Sequence, residues 1–234
     1  MQRAMMQGTL SCDRLKASTK VLTTSLIGLI LLAGCTFQRP VSIRYTPLVQ
    51  AQRLVDRTNP AVVVVGAYQD ARYSQAVGNQ RLNSISVHRL EFTTVGDVPA
   101  VVRSAFVDAF LKSGFEVPLE DESGAGPFLQ VTGKVLTYAM NIKTGWSTVT
   151  MSADVDVEVT LTPRNGESVT FVVQGRNVVE GKVIGYEMVA EILDRALQEC
   201  VSNFLQHESF LALLKSPSTA SAPASLRLPA AAEG

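Results

Sequence analysis

Apolar residues recur at helical spacing between residues 98 and 110. Val98, Val102, Ala105, Phe106, Ala109 and Phe110 fall on one face. Asp97 stands where an N-cap is wanted, Pro99 lies in the first turn, and Gly114 suits a left-handed C-cap. The same period returns over Tyr186–Leu205, with Val189, Ile192, Leu193, Ala196, Leu197, Cys200, Val201 and Phe204 facing inward. A short apolar helix over Phe210–Leu214 follows. Elsewhere the period is two. Phe128–Met140, Thr148–Pro163 and Glu167–Val179 alternate as strands, and Asn165-Gly166 is a hairpin signal between the last two, so the three form an antiparallel meander. Ala61–Gly66 reads as a short buried strand, Ser84–Phe92 as a second, and Phe115–Val117 begins a return strand. This order predicts an α+β fold, a mainly antiparallel sheet with two main helices packed on one face.

The start of the chain has a different character. Arg3, Arg14, Lys16 and Lys20 precede an apolar run from Val21 to Ala33 that is too short to span a bilayer, which needs about 20 apolar residues. The run ends in Leu32-Ala33-Gly34-Cys35. That tetrad resembles the bacterial lipobox, in which the cysteine is lipidated and the chain is cut just before it. The other reading is an ordinary signal peptide with an incidental cysteine, and Met5 or Met6 is an alternative start. Thr36 follows the cysteine where an aspartate would resemble an inner-membrane retention signal, so the expected destination is the outer membrane, facing the periplasm.

Residues 1–34 are therefore expected to be a lipoprotein signal peptide, 35–60 a lipidated tether with a helical turn around Leu48–Val55, and 61–215 a single domain. The Ser/Ala/Pro-rich stretch 216–234 is expected to be a disordered tail. The full chain has 21 basic and 21 acidic residues, and cleavage before Cys35 removes four basic residues and one acid, leaving a net charge near −3. A weakly acidic chain offers no electrostatic footprint for nucleic acid. Cys200 is then the one thiol left besides the lipidated Cys35, with no partner for an internal disulfide.

Little in the chain points to catalysis. His88 and His207 stand in no metal-ligand spacing and are paired with no nucleophile motif, and Cys200 falls in an apolar helical stripe. Asp154, Asp156 and Glu158 share one face of a strand, but their 6.5–7 Å linear spacing (about two residues of strand rise) does not let one ion take all three. They read as a solvated face with Lys134 and Arg176 as cross-strand partners. No catalytic residue, metal site or cofactor is expected beyond covalent lipid on Cys35.

Two stretches are candidates for binding. Ala67–Asn83 is a long polar connection holding Asp70, Arg72, Tyr73, Gly78 and Arg81; it reads either as a partner-binding loop or as an exposed hairpin with a local Asp70–Arg72 or Asp70–Arg81 pair. Trp146, the only tryptophan, sits near a hairpin tip, where it either anchors a partner or covers the sheet end.

The lipobox, "VVVVGAYQDAR" with Gly78 and Arg81, "KSGFEV", the three-strand meander, "NVVEG" (Asn177–Gly181) and "FLALLK" together resemble the YajG-like family of bacterial outer-membrane lipoproteins. The resemblance implies a periplasm-facing α+β lipoprotein without established enzymatic activity. Asp70, Arg72, Gly78 and Arg81 match the family's polar loop, which has no assigned role to transfer, and the Ala/Pro-rich tail departs from the pattern. The expected function is a non-enzymatic binding or assembly module for another cell-envelope component, most naturally a protein. The alternative is a lipid- or glycolipid-binding accessory subunit of an envelope transport system, which would need an apolar cavity between helices and sheet.

Overall fold

The computed structural model describes residues 36–48, 53–55, 61–81, 89–118, 129–164, 166–181 and 187–215. Its strands are β1 (Thr36–Ser42), β2 (Val63–Asp70), β3 (Ala76–Arg81), β4 (Arg89–Val95), β5 (Leu129–Thr144), β6 (Val149–Pro163) and β7 (Val169–Gly181). Its helices are α1 (Val98–Lys112), α2 (Met188–Leu205) and α3 (Glu208–Lys215). The fold is α+β, as the periodicity predicts. The seven strands form one sheet in the order β1-β4-β3-β5-β6-β7, with β2 also paired to β5.

That sheet is mixed. The expected meander β5-β6-β7 is antiparallel throughout, and so is β3-β4. However, β1 runs parallel to β4, and both β2 and β3 run parallel to β5. The physical reason is that β5, sixteen residues long, is shared. Its first half takes β2 (Val63 opposite Leu129, Asp70 opposite Val135), and its second half takes β3 (Gly78 opposite Met140). Strands β2 and β3 thus lie end to end along the same edge.

Alternation is cleanest in β6. Met151, Ala153, Val155, Val157, Val159 and Leu161 are buried, and the residues between them are half-buried on the open face. The helices cover the apolar face. Phe106, Phe110, Phe204 and Phe210 are fully buried there and meet one another edge-on or tilted, with ring centroids 4.8–5.9 Å apart. Close approach between helix, sheet and the Tyr68 ring needs glycine. A Cβ on Gly175 would lie 2.1 Å from the Ala196 carbonyl oxygen and 2.2 Å from the Cys200 nitrogen, so α2 rests directly on β7 backbone. A Cβ on Gly133 would meet the Tyr68 ring at 2.4 Å.

Helix α1 ends as its sequence dictates. Gly114 takes φ +96°, its N–H donates to the Leu111 carbonyl, and the Phe115 N–H donates to the Phe110 carbonyl at 3.0 Å. These are the paired bonds of a Schellman motif, and the accompanying apolar contact is the edge-on Phe110–Phe115 pair. At the other end Asp97 is the N-cap residue, but its side chain makes no capping bond. The expected return strand at Phe115–Val117 amounts to one parallel bridge, Val62 to Glu116. The described part of the second expected strand, Arg89–Phe92, lies in β4, and Ser84–His88 lies outside the described residues.

The segment expected to be a tether departs most from the sequence reading. Thr36–Ser42 is the edge strand β1, and Ile43–Leu48 crosses the helices as a strap. Asp194 of α2 accepts the Thr46 N–H at 2.8 Å, while Gln198, one turn on, donates to the Thr46 carbonyl at 3.0 Å. Tyr45 donates its hydroxyl to Asp108 of α1 at 3.0 Å, and Lys112 donates to the Leu48 carbonyl. Val41 and Ile43 are buried in the core. No helical turn forms in its described part; residues 49–52 and 56–60 lie outside the described set. The sequence pattern hid this because a strap held by side chain-to-backbone bonds has no period of its own.

Residues 1–34, expected to be a signal peptide, also lie outside the described residues, as do Cys35, Asn165 and residues 216–234. Among the described residues no helix is long and apolar enough to cross a membrane.

Candidate functional site

The polar stretch predicted as one long loop is mostly strand. Ala67–Asp70 completes β2 and Ala76–Arg81 is β3, so only residues 71–75 connect them. The junction is built from two irregularities. In β2, Val65 opposes Val131 and Tyr68 opposes Gly133, so a bulge at Gly66–Ala67 restores the core-facing direction for Tyr68. Arg103 of α1 secures that bulge: its Nε donates to the Val65 and Gly66 carbonyls at 3.1 and 3.0 Å, and its Nη2 to Val65 at 2.8 Å. In β5, Val135 opposes Val157 but Thr137 opposes Asp156, leaving Leu136 as the extra residue. This second bulge switches the inward set from Val131 and Val135 to Tyr138 and Met140. It falls where β2 hands over to β3, and the Ala71 N–H donates to the Val135 carbonyl there at 3.0 Å.

At this junction Asp70 and Arg72 form a two-point ion pair, Nε to Oδ1 and Nη2 to Oδ2, each at 2.8 Å. The Arg72 N–H also donates to Oδ1 at 3.2 Å. The guanidinium beside it holds the Asp70 carboxyl below the usual carboxylate range. The local Asp70–Arg72 pair therefore forms; the Arg81 side chain lies outside the described set. Arg72 is far from a solvated side chain, though: only 6% of it is exposed, and its Nη1 has no partner among the described residues. Tyr138, buried within β5, also leaves its hydroxyl without a partner among the described residues, and burial pushes that phenol well above its ordinary range. Tyr73, at the tip of the connection, is fully exposed.

Gly78 has a structural reason to be glycine, since a Cβ there would lie 2.6 Å from the Met140 carbonyl oxygen of β5. Arg81 ends β3 opposite Arg89. Trp146 is fully exposed at the β5–β6 tip, where the Gly145 N–H donates to the Thr148 carbonyl at 2.7 Å and closes a tight turn. The fold does not bring Tyr73 and Trp146 together. Tyr73 is level with the middle of β5, and the seven residue steps from Thr137 to Thr144 span about 23 Å of strand.

The remaining chemistry-bearing residues are accounted for by packing. Cys200 donates its thiol to the Val173 carbonyl at 3.6 Å, and burial pushes its pKa up to about 12, far from a reactive thiolate. His207 stacks on Phe171 with centroids 3.9 Å apart and accepts the Ser209 N–H at the start of α3. His88 lies outside the described residues. On the open face Glu158 pairs with Lys134 at 2.8 Å and Asp154 with Arg176 at 3.4 Å, the cross-strand partners expected from the sequence. A cleft of about 400 Å³ lies outside the core between the β2 bulge and the start of α1, lined by Ala67, Tyr68, Asp97, Pro99, Ala100 and Arg103.

Sequence reasoning missed Asp194, Gln198, Asp108 and Arg103. The available signal was Asp194 itself, an acid beside the apolar stripe of α2 between Leu193 and Ala196; such a residue is buried only with a dedicated partner.

No protein-family model and no curated protein matches this chain. Several solved structures share a loose likeness. Protein XCC0632 from Xanthomonas campestris is 15% identical, covering 75% of this chain and 95% of its own, with a TM-score of 0.45. Lipoprotein GNA1162 from Neisseria meningitidis is 10% identical over 57% of this chain and 93% of its own, with a TM-score of 0.31. A putative lipoprotein from Caulobacter crescentus is 15% identical over 50% of this chain and 85% of its own, with a TM-score of 0.33. At this level of similarity they carry no argument about the family or the function of this chain.

Proposed function

We propose that this protein is an outer-membrane lipoprotein, anchored through lipid on Cys35 and facing the periplasm, that serves as a non-enzymatic binding or assembly module for another envelope component. The observation that carries the choice of module over lipid carrier is the aromatic packing between helices and sheet among the described residues. A carrier needs an apolar cavity there, of some 300 Å³ or more for a small ligand. Instead Phe106, Phe110, Phe204 and Phe210 occupy that space with no exposed surface, and Gly175 lets α2 close onto β7. The lipobox Leu32–Cys35 supports the anchor, and the buried, hydrogen-bonded Cys200 and the half-buried His207 stacked on Phe171 support a non-catalytic role.

The contact surface we assign to a protein partner is the β2–β3 connection. Tyr73 supplies a large exposed amphipathic side chain, and the Asp70–Arg72 pair fixes the backbone that presents it. Crosslinking in intact cells followed by pull-down tests this, comparing the native chain with Cys35→Ser and Tyr73→Ala. One protein enriched by the anchored native chain and lost in Tyr73→Ala, with an unchanged melting temperature, is the expected result. Enrichment of no protein, together with stoichiometric lipid extracted from the purified domain, would reverse the choice in favour of the carrier.

A further inference from the structure

The register of the sheet brings three separated parts of the sequence to one end of the molecule. Thr36, the first residue after Cys35, pairs with Arg89 of β4, and Arg89 pairs with Arg81 of β3. Asn79 of β3 pairs with Asn141 of β5, so continuing the same register by two residues sets Arg81 level with Lys143. Thr36, Arg89, Arg81 and Lys143 therefore form one row across four adjacent strands, about 14 Å wide at about 4.8 Å per strand. Immediately beyond that row stands the β5–β6 turn with Trp146 at its tip. The opposite end of β5 and β6, where Leu129 faces Pro163, carries the β6–β7 turn.

Trp146 has features that packing does not explain. It is fully exposed, whereas a tryptophan covering the sheet end would be at least half-buried. The tight turn, closed between Gly145 and Thr148, presents it beyond the strands. Exposed Lys143 stands three residues before it, with Glu180 the acid nearest this end on β7, opposite Thr150. The anchor side has little slack, because β1 begins one residue after Cys35. If Cys35 carries lipid, the end of the sheet holding Trp146 and the basic row is the end that meets the bilayer.

We propose that the Trp146 hairpin tip is a membrane-docking element: its indole rests in the headgroup region of the bilayer that the Cys35 lipid enters, with exposed Lys143 beside it toward anionic headgroups. This rests on the anchor reading given above. An indole prefers that interface because its ring is apolar and its N–H needs a polar partner, and basic side chains are drawn to the negative surface of anionic lipid. Docking at two points, lipid and indole, fixes the orientation of the domain, with the sheet standing away from the membrane and the β6–β7 turn farthest from it.

Trp146 is the only tryptophan in the chain and so reports on itself. The lipidated chain is reconstituted into vesicles of phosphatidylethanolamine and phosphatidylglycerol containing doxyl-labelled phosphatidylcholine. Flotation and intact mass establish anchoring and lipidation. A second protein, Trp146→Phe with Arg164→Trp, moves the reporter to the β6–β7 turn. The expected result is a blue-shifted Trp146 emission, quenched most by doxyl groups placed near the headgroup, with the Arg164→Trp reporter water-exposed and unquenched by lipid. A chain that floats and carries lipid, yet whose Trp146 emission and iodide quenching match those of unlipidated Cys35→Ser, overturns docking and leaves the anchor standing. Equal lipid quenching of both reporters overturns the orientation. A chain without lipid on Cys35 that fails to float overturns the anchor, and docking falls with it.

Discussion

Helix α2 is held on its two flanks by different physics. Toward β7 the contact is backbone on backbone: Gly175 lets the Ala196–Cys200 turn sit against the strand with no side chain between them. Toward the strap the contact is polar, with Asp194 and Gln198, four residues apart, taking the N–H and the carbonyl of Thr46. Close packing tolerates no added atom, because interiors are as dense as organic crystals. Hydrogen-bonded straps tolerate substitution better, since water can replace a lost partner at a partly exposed site. The two flanks should therefore fail at different thresholds and by different routes.

The packed flank should give the largest effect. Gly175→Ala places a Cβ about 2 Å from two backbone atoms, so α2 must lift or β7 must bend. The expected cost is at or beyond the upper end of the ~1–3 kcal/mol typical of overpacking, measured as a fall in the urea midpoint with m unchanged. A Gly175→Ala chain as stable as the native one would mean that α2 does not rest where described. On the polar flank, Asp194→Ala should cost about 1–3 kcal/mol while leaving α2 on the sheet. Hydrogen exchange should then show faster exchange at Thr46, with Val173 and Val201 unchanged. If the Val173 and Val201 amides lose protection as well, the flanks are coupled and the contrast between them is lost.

Acid separates the junction from both flanks. Asp70 has its carboxyl held below the usual range by Arg72, so the stability it contributes is complete above the ordinary carboxylate pKa and is lost as pH falls through the depressed folded value. Asp70→Asn should lower the melting temperature at neutral pH and converge with the native chain in acid; parallel melting-temperature curves down to the acid limb would show that the pair contributes nothing. The smallest effect is expected at the open face, where Glu158→Gln breaks the exposed pair with Lys134. Its cost should be below about 1 kcal/mol and should vanish in high salt.

The same contrast explains what could be read from the sequence. The packed flank was legible because burial writes a period. The inward residues of α2 named from spacing, from Val189 to Phe204, are all buried, and β6 follows its alternation without interruption. Regions governed by single hydrogen bonds or bulges write no period. The bulges at Gly66–Ala67 and Leu136 each interrupt alternation, and so the end of β2 and all of β3 looked like loop. The strap looked like linker for the same reason. Of the residues chosen as a site, Asp70 and Arg72 do come together, Gly78 serves a close backbone approach, and Tyr73 and Trp146 lie on separate surfaces. Arg81 lies on β3 rather than in a loop. Polar residue type marked the junction, but only pairing partners distant in sequence could show that it is a junction between strands.

The strap also carries a consequence for the order of assembly. Its bonds to α2 join residues 148 and 152 positions apart, and its bonds to α1 join residues 63 and 64 positions apart. The β5–β6 and β6–β7 turns, by contrast, close over a few residues. Closure entropy grows with the length of chain enclosed, and distant pairings form slowly. The meander should therefore nucleate, α2 should settle on it, and the strap, which precedes every helix it crosses in the sequence, should be the last to lock. Until that moment the stretch from Thr36 to Leu48 is a free arm, and it joins the rest of the domain only in the final step of folding.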